Sequence, residues 1–296
     1  MKNGYVCVVT KKYFAMKHII VPIDFSEESI NGLRLALIFA NKFKARLQMV
    51  YVQKFPSELG RVGFEEEKRR ADVEFEKLIK EFSPKFHGEA KLEYIVKKGK
   101  IYREVVNQAE AFDDAVIISS THGASGFEEL FMGSNSFKIV STAENPVITI
   151  RQGAVPREIK TIILPIDISV ETRQKVLLTA EIAKIFEAEV HVLGVSATKV
   201  EDIDAKIEAY SKQVCEYLKE RGIKHVRHRL VGGNIVNTII DYALDNEADL
   251  VSIMTEQNDS LANFILGTYA QQMLNKSPVP VLSITPKEFS IMGTFR

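Results

Sequence analysis

Short apolar runs and amphipathic segments alternate along the whole chain. A short run rich in isoleucine and valine is typical of a buried strand, and apolar residues at intervals of three and four indicate a helix. In the first half this pattern predicts strands at residues 18–23, 46–52, 91–96, 115–119 and 147–150. It predicts helices that begin at Ser26, at residue 64 (ending at 82), at residue 101 (ending at 111) and at Ser134.

The second half repeats the same order of elements. Strands are predicted at residues 161–166, 189–195, 226–231, 250–253 and 281–284, with helices from near Ser169, at 202–220, at 235–244 and from near Thr268. Buried strands that alternate with helices predict an α/β fold, here two tandem doubly wound parallel-sheet domains. In such sheets ligands bind outside the carboxyl ends of the strands, which is where Asp24, Val52 and the segment after Ser119 lie.

Two sequence anchors show that the halves are copies of each other. The run KHIIVPIDFS at residues 17–26 returns as KTIILPIDIS at residues 160–169, and Gly133-Ser134 returns as Gly267-Thr268. A chain of 296 residues has room for two domains of about 140 residues each. We expect an N-terminal extension at 1–15, a first domain at 16–152, a second domain at 158–286 and a C-terminal tail at 287–296.

The copies differ in the segment that follows their fourth strand. The first copy has Ser120 and then THGASG at residues 121–126, and nine residues separate Gly123 from Gly133. Glycines allow a backbone to approach an anion closely, and a helix N-terminus supplies free N–H donors and a favourable dipole for phosphate. The hydroxyls of Ser134 and Ser136 are further candidate donors, and His122 is either a phosphate contact or a solvent-facing loop residue.

These motifs resemble the universal stress protein family. The resemblance rests on the strand-end Pro-x-Asp-Phe-Ser, on the glycine motif ending in Gly-Ser, and on the closing Pro-Val strand, and it covers residues 16–151 and 158–285. It implies a Rossmann-like fold of the adenine nucleotide alpha hydrolase type. It also implies that ATP, AMP or ADP, with or without Mg²⁺, binds in the first domain at Pro22, Ile23, Asp24, Val52, Ser120, Gly123, Gly133, Ser134, Asn135 and Ser136. Ser120 departs from the family pattern, which has glycine at that position.

The second copy has lost most of this motif. Met254 and Gln257 stand at the positions of the first two glycines, and Glu256 and Asp259 place negative charge where it would repel phosphate. We therefore expect no triphosphate site in the second domain, and no other cofactor is predicted there. Asp167 and Val195 are retained, which leaves a nucleoside or another small ligand open.

Structural explanations compete with several of these assignments. Hydrogen bonding within the turn that follows the strand is the favoured explanation for Asp167 and the competing one for Asp24, and a plain turn is the competing explanation for Gly133. The charged run at residues 65–70 is interpreted as a solvated helix face, with a lid formed together with the loop 53–63 as the alternative. No three residues suggest a metal site, and no nucleophile–base pair suggests an active site.

Composition narrows the classes of function. The formal net charge of zero argues against a nucleic-acid partner, and no apolar run is long enough to predict a membrane span. Two cysteines without a pairing pattern favour a reducing compartment, so we expect a cytoplasmic protein.

Two functions from different classes follow. The first is an adenine nucleotide-binding protein with a sensing or regulatory role in stress, at most a slow ATP hydrolase. The second is an interaction scaffold for a protein partner that binds no nucleotide. In either case the resemblance implies that strands 147–150 and 281–284 pair as antiparallel edges within the chain, and a homodimer of this unit is left open.

Overall fold

The computed structural model describes residues 16–53, 61–121, 133–151, 155–169, 171–255 and 266–286. The first domain consists of β1 (His18–Pro22), α1 (Glu27–Phe43), β2 (Arg46–Gln53), α2 (Arg61–Phe82), β3 (Glu93–Lys98), α3 (Ile101–Glu110), β4 (Ala115–Ser120), α4 (Ser134–Thr142) and β5 (Val147–Ile150), with a short 3₁₀ turn at Ser83–Lys85. The second consists of β6 (Thr161–Ile166), α5 (Lys175–Phe186), β7 (Glu189–Ser196), α6 (Glu201–Glu220), β8 (His225–Val231), α7 (Ile235–Asp245), β9 (Leu250–Met254), α8 (Thr268–Lys276) and β10 (Val281–Ile284), with a 3₁₀ turn at Glu171–Arg173 before α5.

All ten strands form one sheet in the order β3-β2-β1-β4-β5-β10-β9-β6-β7-β8. Neighbouring strands are parallel within each domain, and β5 pairs with β10 in the antiparallel direction, with Leu282 opposite Ile148. The predicted α/β fold and the predicted pairing of the last strands are both confirmed. Because the two halves run in opposite directions, the carboxyl ends of their strands lie at opposite edges of the sheet.

Each face of this sheet carries helices from both domains. Helices α1, α2, α5 and α6 cover one face, and α3, α4, α7 and α8 cover the other. On the first face α1 packs directly against α5, with the rings of Phe39 and Phe186 5.1 Å apart. The apolar core on each face is therefore continuous across the domain boundary.

The two copies begin their first helix differently, which corrects one sequence prediction. In the first copy Ser26 is the N-cap of α1 and accepts a hydrogen bond from the Ser29 N–H at 3.2 Å. In the second copy a 3₁₀ turn follows Ser169 and the α-helix begins only at Lys175. The sequence offers a reason. The segment after Ser169 contains the β-branched Thr172, which favours an α-helix less than the residues in the first turn of α1 do.

Helix α2 also begins earlier than predicted, at Arg61, so that Gly63 belongs to the helix and not to the preceding loop. Among the helices in the described residues, none is long and apolar enough to cross a membrane.

Candidate functional site

The candidate site of the first domain begins where β1 ends. The Ile23 N–H donates to the Val50 carbonyl at 2.9 Å, which extends the pairing with β2 beyond Pro22. Asp24 then turns the chain, and its Oδ1 accepts from the Ser26 N–H at 3.1 Å and from Ser26 Oγ at 2.5 Å. Asp24 is solvent-exposed at the sheet edge. Asp24 thus stabilises the turn and also presents an accessible carboxylate at the carboxyl end of β1.

The second domain builds the same turn. Asp167 Oδ1 accepts from the Ser169 N–H at 2.7 Å and from Ser169 Oγ at 2.6 Å. The local role expected for this aspartate is therefore present in both copies, including the one whose phosphate loop is degenerate. Asp24 alone consequently does not distinguish a binding domain from a structural one.

Side chains at the end of β2 alternate between the two faces of the sheet. Val52 is buried in the core beneath α3 and α4, whereas Tyr51 and Gln53 face α2. Tyr51 Oη donates to Glu67 Oε1 at 2.8 Å, and Gln53 Nε2 donates to the Phe64 carbonyl at 2.8 Å. Burial, followed by the hydrogen bond and charge of Glu67, raises the pKa of Tyr51 to about 12.

Glu67 is a residue that the sequence pattern missed. The run at 65–70 is exposed as predicted at Glu65, Glu66 and Arg70, but Glu67 is half-buried and turns toward β2. The sequence contained a signal for this orientation. Glu67 stands three residues after Phe64 and four residues before Ala71, both apolar, and this spacing indicates the inner side of α2. Together, Tyr51, Gln53 and Glu67 fix the start of α2 to the edge of the sheet.

Helices α1 and α4 pack closely against the end of β4 from the two faces of the sheet. Gly32 of α1 lies so close that a Cβ there would be 3.2 Å from the Ser120 nitrogen. From the other face, Ser136 Oγ of α4 donates to the Ser120 carbonyl at 2.7 Å. Ser120 is buried, and its backbone lies between α1 on one face and α4 on the other.

Two backbone hydrogen bonds close the base of the loop that follows. The Thr121 N–H donates to the Ile150 carbonyl at 2.8 Å, and the Gly133 N–H donates to the Thr121 carbonyl at 2.7 Å. The loop candidates His122 and Gly123 lie outside the described residues. The loop therefore leaves and rejoins the sheet at a single point, directly beside the start of α4.

Helix α4 presents an N-terminus to this point. Its N-cap, Gly133, has φ −57° and ψ 144° and supplies no side-chain hydrogen bond. The first-turn N–H groups of a helix have no acceptor within the helix, which leaves those of Ser134, Asn135 and Ser136 directed at the sheet edge. Ser134 is exposed and Asn135 half-buried, while the Ser136 hydroxyl is engaged with Ser120 as described above.

The equivalent position in the second domain is altered. Met254 replaces Ser120 and is 9 % exposed, and Ala270 replaces Ser136, so that the hydroxyl link between strand and helix is absent there. Gly267 is retained with φ −56° and ψ 146°, nearly the angles of Gly133. These angles are open to any residue, so neither glycine is required by backbone conformation. Residues Glu256, Gln257 and Asp259 lie outside the described residues.

Within the described ranges, no three or more histidine, cysteine, aspartate or glutamate residues are placed to hold a metal ion.

Comparison with known proteins agrees with this architecture. A sequence model of the universal stress protein family matches residues 16–151 and again residues 158–284. A universal stress protein of Methanocaldococcus jannaschii, MJ0531, is 25 % identical over 146 residues, which cover 46 % of this chain and 82 % of that protein.

Solved structures resemble the whole chain. A universal stress protein from Archaeoglobus fulgidus has a TM-score of 0.74 at 19 % identity, covering 92 % of this chain and 99 % of the other. A protein of unknown function from Pseudomonas aeruginosa has a TM-score of 0.63 at 17 % identity, with 93 % and 94 % covered. At these identities the structures establish the fold alone, whereas the family match spans most of the sequence. The chain belongs to the universal stress protein family and carries two copies of its domain.

Proposed function

We propose that this chain is a cytoplasmic tandem universal stress protein whose first domain binds ATP or a related adenine nucleotide. In this proposal the second domain binds no triphosphate and serves as a structural partner. The role is nucleotide-dependent sensing or regulation in a stress response. The cytoplasmic assignment is supported by two cysteines without a pairing pattern.

The observation that carries the proposal is the difference between the two domains at the end of their fourth strand. In the first domain two small residues, Ser120 and Ser136, meet beside the N-terminus of α4. In the second domain the corresponding strand ends in the larger Met254. A phosphate chain needs backbone N–H groups within reach and little side-chain bulk, a combination that the described residues offer at the end of β4 and not at the end of β9.

The residues present in the first domain suit an adenine nucleotide. The exposed carboxylate of Asp24 and the end of β2 at Val52 would flank the nucleoside, and the N-terminus of α4 would hold the phosphates. The segment from Ser120 to Ser136 contains no lysine or arginine to stabilise charge in phosphoryl transfer. Turnover is therefore not part of the proposed role, and any hydrolysis would be slow.

One observation favours the alternative, an interaction scaffold without nucleotide. The Gly133 N–H and the Ser136 hydroxyl already have acceptors in Thr121 and Ser120. A ligand would have to bind through the remaining donors or displace these bonds.

Thermal unfolding with and without ATP and magnesium separates the two functions. Ligand at ~100 times its dissociation constant stabilises the folded protein by roughly 2.7 kcal/mol. That corresponds to a rise in Tm on the order of 4 °C for a chain of 296 residues that unfolds as one unit. The rise should disappear in Gly133→Val and persist in Gly267→Val, the matched substitution at the second-domain position with the same backbone angles. Indifference of the wild-type Tm to nucleotide would favour the scaffold.

A further inference from the structure

The first domain has a shallow recess at the amino ends of β1, β2 and β3, which are the strand ends opposite to the proposed nucleotide site. Even with the space open to solvent included, the recess measures about 280 Å³. Pockets for drug-sized ligands begin at about 300 Å³, so this recess admits only a small molecule. The residues that line it include His18, Ile20, Arg46, Gln48, Glu93 and Phe112.

Strand pairing brings the polar residues of the recess together. His18 of β1 is paired with Arg46 of β2, and Gln48 of β2 is paired with Glu93 of β3. Alternate residues of a strand share one face of the sheet, so Arg46 and Gln48 lie on the same face as Val50, whose side chain packs in the core beneath α3. The four polar residues therefore form one group on the α3 face of the sheet.

Two members of this group are oriented by hydrogen bonds. His18 Nδ1 lies 2.7 Å from Asp114 Oδ1, and the His18 ring is stacked on the ring of Phe112 with 4.0 Å between their centroids. Because a carboxylate only accepts hydrogen bonds, Nδ1 carries the proton, and Nε2 of the neutral ring is an acceptor. Gln48 Oε1 accepts from Gln108 Nε2 at 2.7 Å, which leaves the amide N–H groups of Gln48 as donors.

Arg46 and Glu93 have opposite charges and do not pair with each other. They are diagonal neighbours on adjacent strands, a spacing within reach of long side chains. Among the residues that the structure describes, neither side chain takes part in an ion pair or a hydrogen bond. Since both residues line the recess, a ligand that carries an anionic and a cationic group would provide each of them with a partner.

The second domain arranges the equivalent positions differently. Glu189 and His191 stand in place of Arg46 and Gln48. His191 Nδ1 lies 3.0 Å from Tyr242 Oη, and His191 Nε2 lies 3.4 Å from Glu189 Oε2, so these groups are partners for one another. The unpaired charges of the first domain therefore do not follow from the shared fold.

We propose that the recess binds a small zwitterion, an α-amino acid with a short side chain. The guanidinium of Arg46 and the amide N–H groups of Gln48 bind its carboxylate, for which the planar guanidinium is well suited. The carboxylate of Glu93 and Nε2 of neutral His18 accept hydrogen bonds from its ammonium group. The short side chain of the ligand contacts Ile20.

An NMR titration of the full-length protein with L-alanine tests the proposal. Histidine labelled with ¹⁵N reports on the 6 histidine rings of the chain, and the signals of His18 are identified by their loss in His18→Asn. L-Alanine should shift the His18 signals in a saturable manner. Propionate and ethylammonium each carry only one of the two charges and should bind about tenfold more weakly or less, because each loses a charge-assisted hydrogen bond.

Substitutions at the two charged residues identify the site. Arg46→Met and Glu93→Gln should each weaken alanine binding by about tenfold or more. Both residues are exposed, so neither change should disturb folding. Arg103→Met, at an exposed arginine of α3, is the matched control and should bind alanine like the wild type.

Two results would overturn the proposal. Propionate that binds as tightly as alanine would identify a site for simple anions, and the absence of a saturable shift at His18 would show that no amino acid binds. The titration is carried out without nucleotide, so its outcome is independent of ATP binding at the other ends of the strands.

Discussion

At the scale of single residues, one hydroxyl distinguishes the two domains. Ser136 Oγ joins α4 to β4 through the Ser120 carbonyl, and Ala270 leaves this link out in the second domain. The sequence drew attention to Ser136 as a donor for phosphate. Its structural bond was not visible in the pattern, because a hydrogen bond between residues this far apart depends on how helix and strand pack.

Ser136→Ala should therefore lower the free energy of unfolding by about 1 kcal/mol, the usual net value of a buried hydrogen bond. The Ser120 carbonyl keeps a second donor in Ser119 Oγ at 3.0 Å, so the loss should not exceed this value. Ser134→Ala, at an exposed neighbour in the same turn, is the control and should change stability by less than about 0.5 kcal/mol. Chemical denaturation of both variants measures the difference, and equal stabilities would contradict the assigned bond.

Lys175 gives a pH dependence whose sign follows from its burial. Its pKa falls from 10.5 in the unfolded chain to about 8 in the folded one, so the cost of the buried charge is fully present below pH 8. Between about pH 8 and 10.5 the folded protein has released the proton and the unfolded chain has not, and stability rises with pH. In phosphate-free chloride buffer the Lys175→Met protein should have a higher free energy of unfolding than the wild type at pH 7. The difference between the two proteins should decrease by roughly 3 kcal/mol between pH 7 and pH 10.5. A difference that is constant with pH would contradict the burial of a charged amine.

At the scale of elements, the sequence predicted every strand and every α-helix that the structure describes, but it misplaced the starts of two helices. The apolar runs determine strands because they must be buried on both faces. The starts of α2 and α5 were misplaced, at residue 64 and near Ser169. The first turns of α2 are held against β2 through Glu67, and a 3₁₀ turn precedes α5, and the apolar pattern records neither feature. The attachment of α2 through Glu67 was not predicted either, because the charged run was interpreted as a solvated face although the spacing of Glu67 from Phe64 and Ala71 indicates the inner side of the helix.

Glu67→Gln tests that attachment. Loss of the carboxylate charge should lower the pKa of Tyr51 from about 12, although burial keeps it above the ordinary value. The weaker bond should also increase hydrogen exchange of the amides in α2. Glu66→Gln is the matched control, because Glu66 is exposed and pairs with Arg70 within the helix. If both variants left the titration of Tyr51 unchanged, Glu67 would not be the anchor of α2.

At the scale of the whole molecule, the ten strands form one sheet whose two cores cross the domain boundary. Duplication in the sequence, together with the family resemblance, predicted the antiparallel contact of β5 with β10. The position of Lys175 beneath the second sheet edge was not predicted, because a lysine in a helical pattern normally indicates a solvated face.

A continuous sheet should unfold as a unit. Leu282 is fully buried opposite Ile148 at the junction of the two domains. Leu282→Ala should therefore lower the free energy of unfolding by about 2–5 kcal/mol. Calorimetry should show a single transition that moves to lower temperature as a whole. Two separate transitions, of which only one moves, would show that the domains are stable independently of their shared sheet.

The most direct measurement of the central claim is the number of ATP molecules bound per chain, determined by titration calorimetry. The asymmetry between the ends of β4 and β9 predicts one, absent in Gly133→Val and present in Gly267→Val. Two ATP molecules per chain, or a single one whose binding depends on Gly267 and not on Gly133, would contradict the assignment of the nucleotide to the first domain.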